Sequence, residues 1–171
     1  MSPPWRVEEE TGTAAQLVDA SVLLLQPHHS GSLVRCVRLL HVTSTAVVLG
    51  SAQPDTQVDR ARAAQAGVDV VRRRSGGGAV LIGPGLACWV DVIVPSGDAL
   101  WQDDVGRASW WLGQAFADAL QTVGVGSAEV WRGGLRRTSW SGRVCFAGTG
   151  PGEVVINGRK VVGMSQRRTR Q

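Results

Sequence analysis

Arg72-Arg73-Arg74-Ser75-Gly76-Gly77-Gly78-Ala79-Val80 joins a run of cations to three consecutive glycines, and its two flanks decide the fold class. On the N-terminal side, Val68 to Val71 reads as a strand running straight into the arginines; on the C-terminal side, Ala79 to Ile82 reads as another. The glycines let the backbone come close to a ligand and point amide N–H groups at it, while arginine supplies charge and paired donors. A phosphate or carboxylate suits such a cradle. No Gly-Lys-Ser/Thr follows, so the stretch is not a P-loop, and it lacks the GxGxxG spacing of a dinucleotide fold. A flexible turn beside a solvated basic patch is the competing interpretation.

Working outward, elements alternate in type. Residues 13–25 read as a helix with Leu17, Ala20 or Ser21, and Leu24 on one face, ended by Pro27 and Ser30-Gly31. Strands are expected over Leu33 to Leu40 and Thr45 to Leu49, then a loop from Gly50 to Pro54, and a short helix from Asp55 to Ala66 that Gly67 stops. Beyond the glycines, Ala79 to Ile82 and Cys88 to Val94 are expected to pair around the Gly83-Pro84-Gly85 bend. The longest helix is expected over Asp103 to Val123, with Val105, Ala108, Leu112, Ala115 or Phe116, Ala119 and Val123 on its apolar stripe. Trp110 and Trp111 read as core or interface aromatics. Residues 124–152, rich in Gly and Arg, read as a long irregular functional segment. Val154-Val155-Ile156, Asn157-Gly158 and Lys160 to Met164 form the strongest hairpin signal, because Asn-Gly accepts the positive φ angles of a tight turn.

Composition bounds the possibilities. At 171 residues and 43% hydrophobic content, the chain is expected to form one domain over residues 1–171. No apolar run is long enough to span a membrane, and MSPPWRVEEE is unlike a signal peptide, so the expectation is a cytoplasmic protein with no membrane partner. Cys36, Cys88 and Cys145 are too widely spaced for a zinc site, so disulfides and metal are not expected. The net charge of +4 favours anionic partners. His28, His29 and His41 fall in no catalytic spacing and read as solvated or structural.

Lys160 is the sole lysine in a chain with 18 lysines and arginines combined. It sits just past the hairpin tip. An ammonium on a flexible arm can reach a phosphate or carboxylate and neutralise charge developing in a transition state. A lysine guarding a strand edge against aggregation is the bland alternative.

These residues carry a resemblance. Arg72 to Val80 resembles the RRxSGGGAV signature of lipoate–protein ligases, and Gly158-Arg159-Lys160-Val161-Val162-Gly163 resembles their GRKxxG lysine motif, in the same order and at a similar separation. With the early helix and Val48 to Gln53, the likeness covers most of residues 13–168. It implies the α/β (α+β) fold shared by biotin and lipoate ligases and octanoyltransferases: a mixed β-sheet flanked by helices. It also implies that Lys160 contacts the activated carboxyl, and that Arg72, Arg73, Ser75, Gly76, Gly77, Gly78 and Ala79 cradle acyl group and phosphates. Gln53, Glu153, Gly158 and Gly163 complete the implied substrate and ATP contacts. The implied reaction activates lipoate or octanoate with ATP and Mg2+, then passes the acyl group to a lysine on a lipoyl carrier domain of a 2-oxoacid dehydrogenase or the glycine cleavage H protein.

The chain departs from that pattern in informative places. Leu81-Ile82-Gly83-Pro84-Gly85 stands where many relatives place a histidine and a polar residue, and Gly152-Glu153 stands where ligases place Asn-Asp. Cys145, fifteen positions before Lys160, resembles the nucleophilic cysteine of octanoyltransferases and amidotransferases in the same superfamily. A thiolate beside an ammonium could hold the acyl group as a thioester with no cofactor, taking it from an acyl carrier protein. A buried structural cysteine is the alternative for Cys145. The chain stops soon after the lysine strand, where family members continue with strands that close the acyl pocket. Two readings from other classes stay open: a non-catalytic acyl-binding relative, and a nucleic-acid surface. In the second, Trp131 and Trp140 lie among Arg132, Arg136, Arg137 and Arg143, although no nucleic-acid motif accompanies them.

Overall fold

The computed structural model describes residues 5–23 and 34–168. The predicted end of the first helix, its Pro27 and Ser30-Gly31 stop, His28-His29, Leu33 and Thr169 to Gln171 lie outside them. Nine strands and three helices follow the chain as β1 (Arg6–Gly12), α1 (Ala14–Leu23), β2 (Cys36–Val42), β3 (Ala46–Leu49), α2 (Arg60–Gln65), β4 (Asp69–Arg72), β5 (Val80–Ile82), β6 (Trp89–Ile93), α3 (Trp110–Thr122), β7 (Glu129–Val130), β8 (Val154–Ile156) and β9 (Arg159–Val162), among the described residues. They form three three-stranded sheets: β1-β2-β6 and β4-β3-β5, each with one parallel and one antiparallel pairing, and the antiparallel β7-β8-β9. This is the mixed α+β architecture the motifs implied.

Local chemistry explains several boundaries. At the start of α1, the Thr13 amide donates to Gln16 Oε1 at 2.9 Å and the Gln16 amide to Thr13 Oγ1 at 3.4 Å, a reciprocal cap. Asp59 caps α2 by accepting from the Arg62 amide at 3.0 Å. The expected helix from Asp55 is therefore split into a 3₁₀ turn over Asp55–Gln57 and a helix that begins after Asp59.

Three expectations are corrected. β1 was not foreseen, because Glu8-Glu9-Glu10 is poor strand material by propensity. It forms because Glu8 and Glu10 flank the buried Arg38 of β2, which also meets Asp91 of β6, so one row of opposite charges crosses the whole sheet. Second, β5 and β6 are not partners: β5 pairs with β3 and β6 with β2, so the Gly83-Pro84-Gly85 bend carries the chain between sheets. Third, the long helix begins at Trp110, not Asp103. Asp104 Oδ1 accepts from the Gly106 amide at 2.8 Å, closing a separate turn that competes with helix. Its inward stripe is also rotated: Gly113 and Ala117 are buried and Phe116 and Leu120 half-buried, whereas Val105 and Val123 are exposed.

Two apolar clusters hold these parts. Ala14 and Val18 of α1 pack on Ala46, Val48 and Ile82, with Val71, Val80 and Trp89 against them. Ala117 of α3 packs on Ala128 and Val154, with Val130, Ile156 and Val162 around them. The first cluster supports the glycine-rich loop, the second the lysine hairpin. No helix among the described residues is long and apolar enough to cross a membrane.

Candidate active site

The glycine-rich loop is built to admit another backbone. At Gly78 an added Cβ would lie 2.6 Å from the Val144 carbonyl carbon and 2.7 Å from the Cys145 nitrogen. That space is taken by a short parallel bridge: the Ala79 amide donates to Arg143 O at 2.8 Å and the Cys145 amide to Ala79 O at 2.8 Å. Gly50 does the same on the other side, where a Cβ would come within 1.9 Å of Gly77 O. The signature thus carries Cys145 on its back; only Gly76 faces open space.

Arg72 and Arg73 are engaged by the protein itself. The Arg72 guanidinium donates to Gly50 O at 2.8 Å and Gln53 O at 2.6 Å and pairs with Asp55, whose carboxyl is held below its ordinary range by hydrogen bonds from Arg60 and then Arg72. Arg73 donates to Val48 O, Gly76 O and Gly78 O at 3.2, 2.8 and 2.9 Å. Desolvation pushes its pKa down from the ordinary arginine value, and the charge of Cys145 opposes that shift. Both arginines therefore brace loops through carbonyl oxygens. Ser75 is turned to Ser165, Oγ to Oγ at 2.9 Å.

Gln53 is likewise a brace. Its buried amide nitrogen donates to Gly142 O and Arg143 O at 3.2 and 3.1 Å, while its oxygen accepts from the Gly50 amide at 2.8 Å. One side chain therefore ties the loop after β3 to the residues just before Cys145.

The hairpin brings in the lysine. Asn157 and Gly158 have φ of 50° and 73°, as the tight turn requires. Alternation along β9 turns Arg159 and Val161 outward and Lys160 and Val162 inward. Lys160 Nζ lies 3.0 Å from Glu153 Oε2 and 3.8 Å from Cys145 Sγ, with the Phe146 ring centroid at 5.2 Å. The Lys160 and Glu153 side chains are 4% and 7% exposed, so the pair is shielded from bulk water. Glu153 is set by the chain before it. Its Oε2 accepts from the Gly150 amide at 2.7 Å and its Oε1 from the Met164 amide at 3.0 Å. The residue before it, Gly152, has φ of 83° in a site where a Cβ would strike Ser109 Oγ at 2.1 Å. Gly163 faces the sulfur, its missing Cβ 3.5 Å from Cys145 Sγ.

The structure thus joins Lys160, Cys145, Glu153, Gly78, Ala79 and Gly163 in one place, with Gln53 and Arg73 behind them. The contact of Phe146 with the ammonium was not foreseen; an aromatic following a candidate nucleophile was its only trace. Cys36 is buried in β2 and Cys88 exposed, neither in the site. A cavity of about 350 Å³ is lined by Val92, Leu100, Trp111, Leu112 and Met164 and by Glu153 of the site. Chemically, a thiol beside an ammonium that is itself held by a carboxylate puts a nucleophile and a proton donor within reach of one reacting group.

The fold has solved relatives. Protein Ta0514 from T. acidophilum, designated a candidate lipoate protein ligase and solved with bound lipoic acid, superposes with a TM-score of 0.71 at 17% identity, over 99% of this chain and 64% of that one. LipL1 of P. falciparum in complex with lipoate superposes with a TM-score of 0.67 at 14% identity, over 98% of this chain and 45% of that one. The chain therefore spans under two thirds of the length of either. No curated protein sequence is significantly similar to it. The profile of the lipoyl protein ligase A/B catalytic domain matches residues 19–171, with both motifs inside the match, and the chain belongs to that family.

Proposed function

We propose that this domain is a cysteine acyltransferase, moving an octanoyl or lipoyl group from a thioester donor to a lysine of a lipoyl carrier domain through an acyl-thioester on Cys145. The observation that carries this reading is Lys160 Nζ at 3.8 Å from Cys145 Sγ in a shielded pocket. The Cys145 thiolate attacks the donor carbonyl; a new C–S bond forms and the donor C–S bond breaks. The departing thiolate takes a proton from the Lys160 ammonium. The acceptor amine then attacks the enzyme thioester, an amide forms, the Cys145 thiolate leaves, and the amine proton returns to Lys160. Glu153 holds Lys160 in place through both half-reactions, as counter-charge to its ammonium.

The ATP-dependent ligase reading rests on the RRxSGGGAV and GRKxxG motifs, but the donor set fits a magnesium nucleotide poorly. Arg72 and Arg73 donate to backbone carbonyls, and Glu153 already accepts from Lys160 and two amides. Incubation with an octanoyl thioester, followed by intact mass, is the test: the enzyme gains one octanoyl group, Cys145→Ser gains none, and ATP–pyrophosphate exchange is absent. Acid-dependent exchange that Lys160→Ala abolishes and Cys145→Ser spares would instead establish the ligase.

A further inference from the structure

Among the described residues, the hydrogen-bond partner of the Cys145 sulfur is Lys160 Nζ, at 3.8 Å. The chain's other two cysteines belong to another part of the fold. Cys36 is buried in β2, and Cys88 immediately precedes β6 of the same β1-β2-β6 sheet. Cys145 instead bridges to Ala79, and Lys160 lies in the β7-β8-β9 sheet. An oxidised Cys145 therefore has no resolving thiol beside it in the fold, and the nucleophile at hand is an amine.

The surroundings suit these two groups to join. Cys145 is only partly buried, so a small oxidant can reach it. A space of about one methyl group opens on the sulfur: the position of the missing Gly163 Cβ has Cys145 Sγ and two Phe146 ring carbons as its nearest atoms, each at 3.5 Å. Lys160, 4% exposed, sits apart from the bulk water that would compete for an activated sulfur. Glu153 Oε2 lies 3.0 Å from the ammonium and can take its proton, so the shielded pair is discharged together and neither charge is left alone. The Cys145 amide is tied to Ala79 O at 2.8 Å, which fixes the sulfur's backbone and leaves the remaining gap to the flexible arm of the lysine.

We infer that Cys145 and Lys160 form a redox modification site: when a peroxide oxidises the sulfur, the lysine nitrogen captures it as a reversible sulfenamide cross-link. In the first step the sulfur attacks one peroxide oxygen. The S–O bond forms, the O–O bond breaks, and the thiol proton leaves with the second oxygen as water, so sulfur is oxidised and peroxide reduced by two electrons. Lys160 then gives a proton to Glu153, and its free amine attacks the sulfenic sulfur. The S–N bond forms, the S–O bond breaks, and the hydroxyl departs as water with a proton from the nitrogen. One peroxide is consumed, two waters are released, and Glu153 keeps the lysine's proton. A small thiol reverses the link: it attacks the sulfur, the S–N bond breaks, Lys160 recovers its proton from Glu153, and a second thiol releases Cys145 from the mixed disulfide. The cross-link holds the sulfur short of sulfinic acid, from which thiols cannot recover it. No acyl group enters, so this chemistry is independent of the transfer reaction.

The test treats the full chain with hydrogen peroxide, in a Cys88→Ser background that removes the exposed thiol outside the site. Intact mass and a tryptic map made without reductant are then read. The expected product is lighter by two hydrogens, is closed to iodoacetamide at Cys145, and returns to its starting mass with dithiothreitol. Its map links peptide 144–159, which holds Cys145, to the peptide that begins at Lys160. Lys160→Met in the same background removes the amine; it should lose the link entirely and instead gain two oxygens as a sulfinic acid that dithiothreitol does not reverse. That variant also leaves Glu153 without its counter-charge, so the parent chain oxidised in urea is the second control: with the fold gone, the link should be lost. A sulfinic acid on the folded parent, a disulfide between Cys36 and Cys145, a link to a backbone nitrogen, a link that retains the peroxide oxygen, or equal linking in urea overturns the inference. So does a Cys145 that stays reduced at a peroxide dose that oxidises free cysteine.

Discussion

Gly78→Ala tests whether the glycine-rich loop exists to seat Cys145. The new methyl would start 2.6 Å from the Val144 carbonyl carbon and 2.7 Å from the Cys145 nitrogen, both backbone atoms that cannot rotate away. Restoring ordinary contact near 3.5 Å requires a shift of roughly 1 Å, and overpacking of this kind costs about 1–3 kcal/mol. The reduced freedom of the unfolded chain returns about 0.4–1 kcal/mol, so a net loss of about 1–2 kcal/mol is expected. The kinetic effect is larger. A displacement of about 1 Å in the bridge between Ala79 and Cys145 moves the sulfur relative to Lys160, and misplacement on that scale costs about a hundredfold in rate. Gly76→Ala is the control: its Cβ meets nothing within 4 Å and its φ is not in the left-handed region. Octanoyl loading followed by intact mass, with urea unfolding of both variants, gives rate and stability together. If Gly78→Ala is loaded as fast as Gly76→Ala, the loop does not position the cysteine and the reasoning is wrong.

Further expectations follow from the braces and the buried charges. Gln53→Leu removes the donor to the Gly142 and Arg143 carbonyls, of which Arg143 keeps the Ala79 amide, and the acceptor of the Gly50 amide; urea unfolding should show a loss of about 2 kcal/mol, with slower Cys145 loading. Glu153→Gln leaves an acceptor oxygen for only one of the Gly150 and Met164 amides, sets its NH2 against the other, and strips the shielded Lys160 of its counter-charge. That should cost about 3 kcal/mol, or roughly 6–12 °C in Tm by calorimetry. In acid, the pair of Arg35 and Asp98, each 6% exposed, should dominate one limb of the stability profile. Hydrogen bonds from Arg35 and then the Leu100 amide lower the Asp98 pKa. Its stabilisation is thus full above the unfolded value of about 3.9 and disappears as pH falls through the lower folded value. Asp98→Asn should be less stable at neutral pH and show a shallower acid limb in a pH series of urea melts.

Much of the site was legible because its chemistry is compressed into local motifs. The Asn157-Gly158 turn and the alternation of β9 place Lys160 inward from sequence alone, and the spacing of Cys145 to Lys160 already raised a thioester mechanism. The carbonyl contacts of Arg72, Arg73 and Gln53 were not legible, since a basic or amide side chain next to glycines has the same sequence whether it faces a ligand or a carbonyl. Only the partners across the fold decide between those. Strand pairing was hidden for a similar reason: β1 is acidic and becomes a strand because Arg38 lies beside it, a long-range pairing that no local propensity reports.

Local backbone preferences and the two motifs thus determined the turns, most element positions and the family resemblance, because φ restrictions and side-chain periodicity act within a few residues. Which groups meet was decided by tertiary structure. The β8–β9 hairpin and the turn before it bring Lys160 to Glu153, and Gly78 and Gly50 let the glycine-rich loop pack closely enough to seat Cys145 beside them. Whether an arginine is a ligand donor or a brace is settled by the carbonyls that the rest of the fold sets before it.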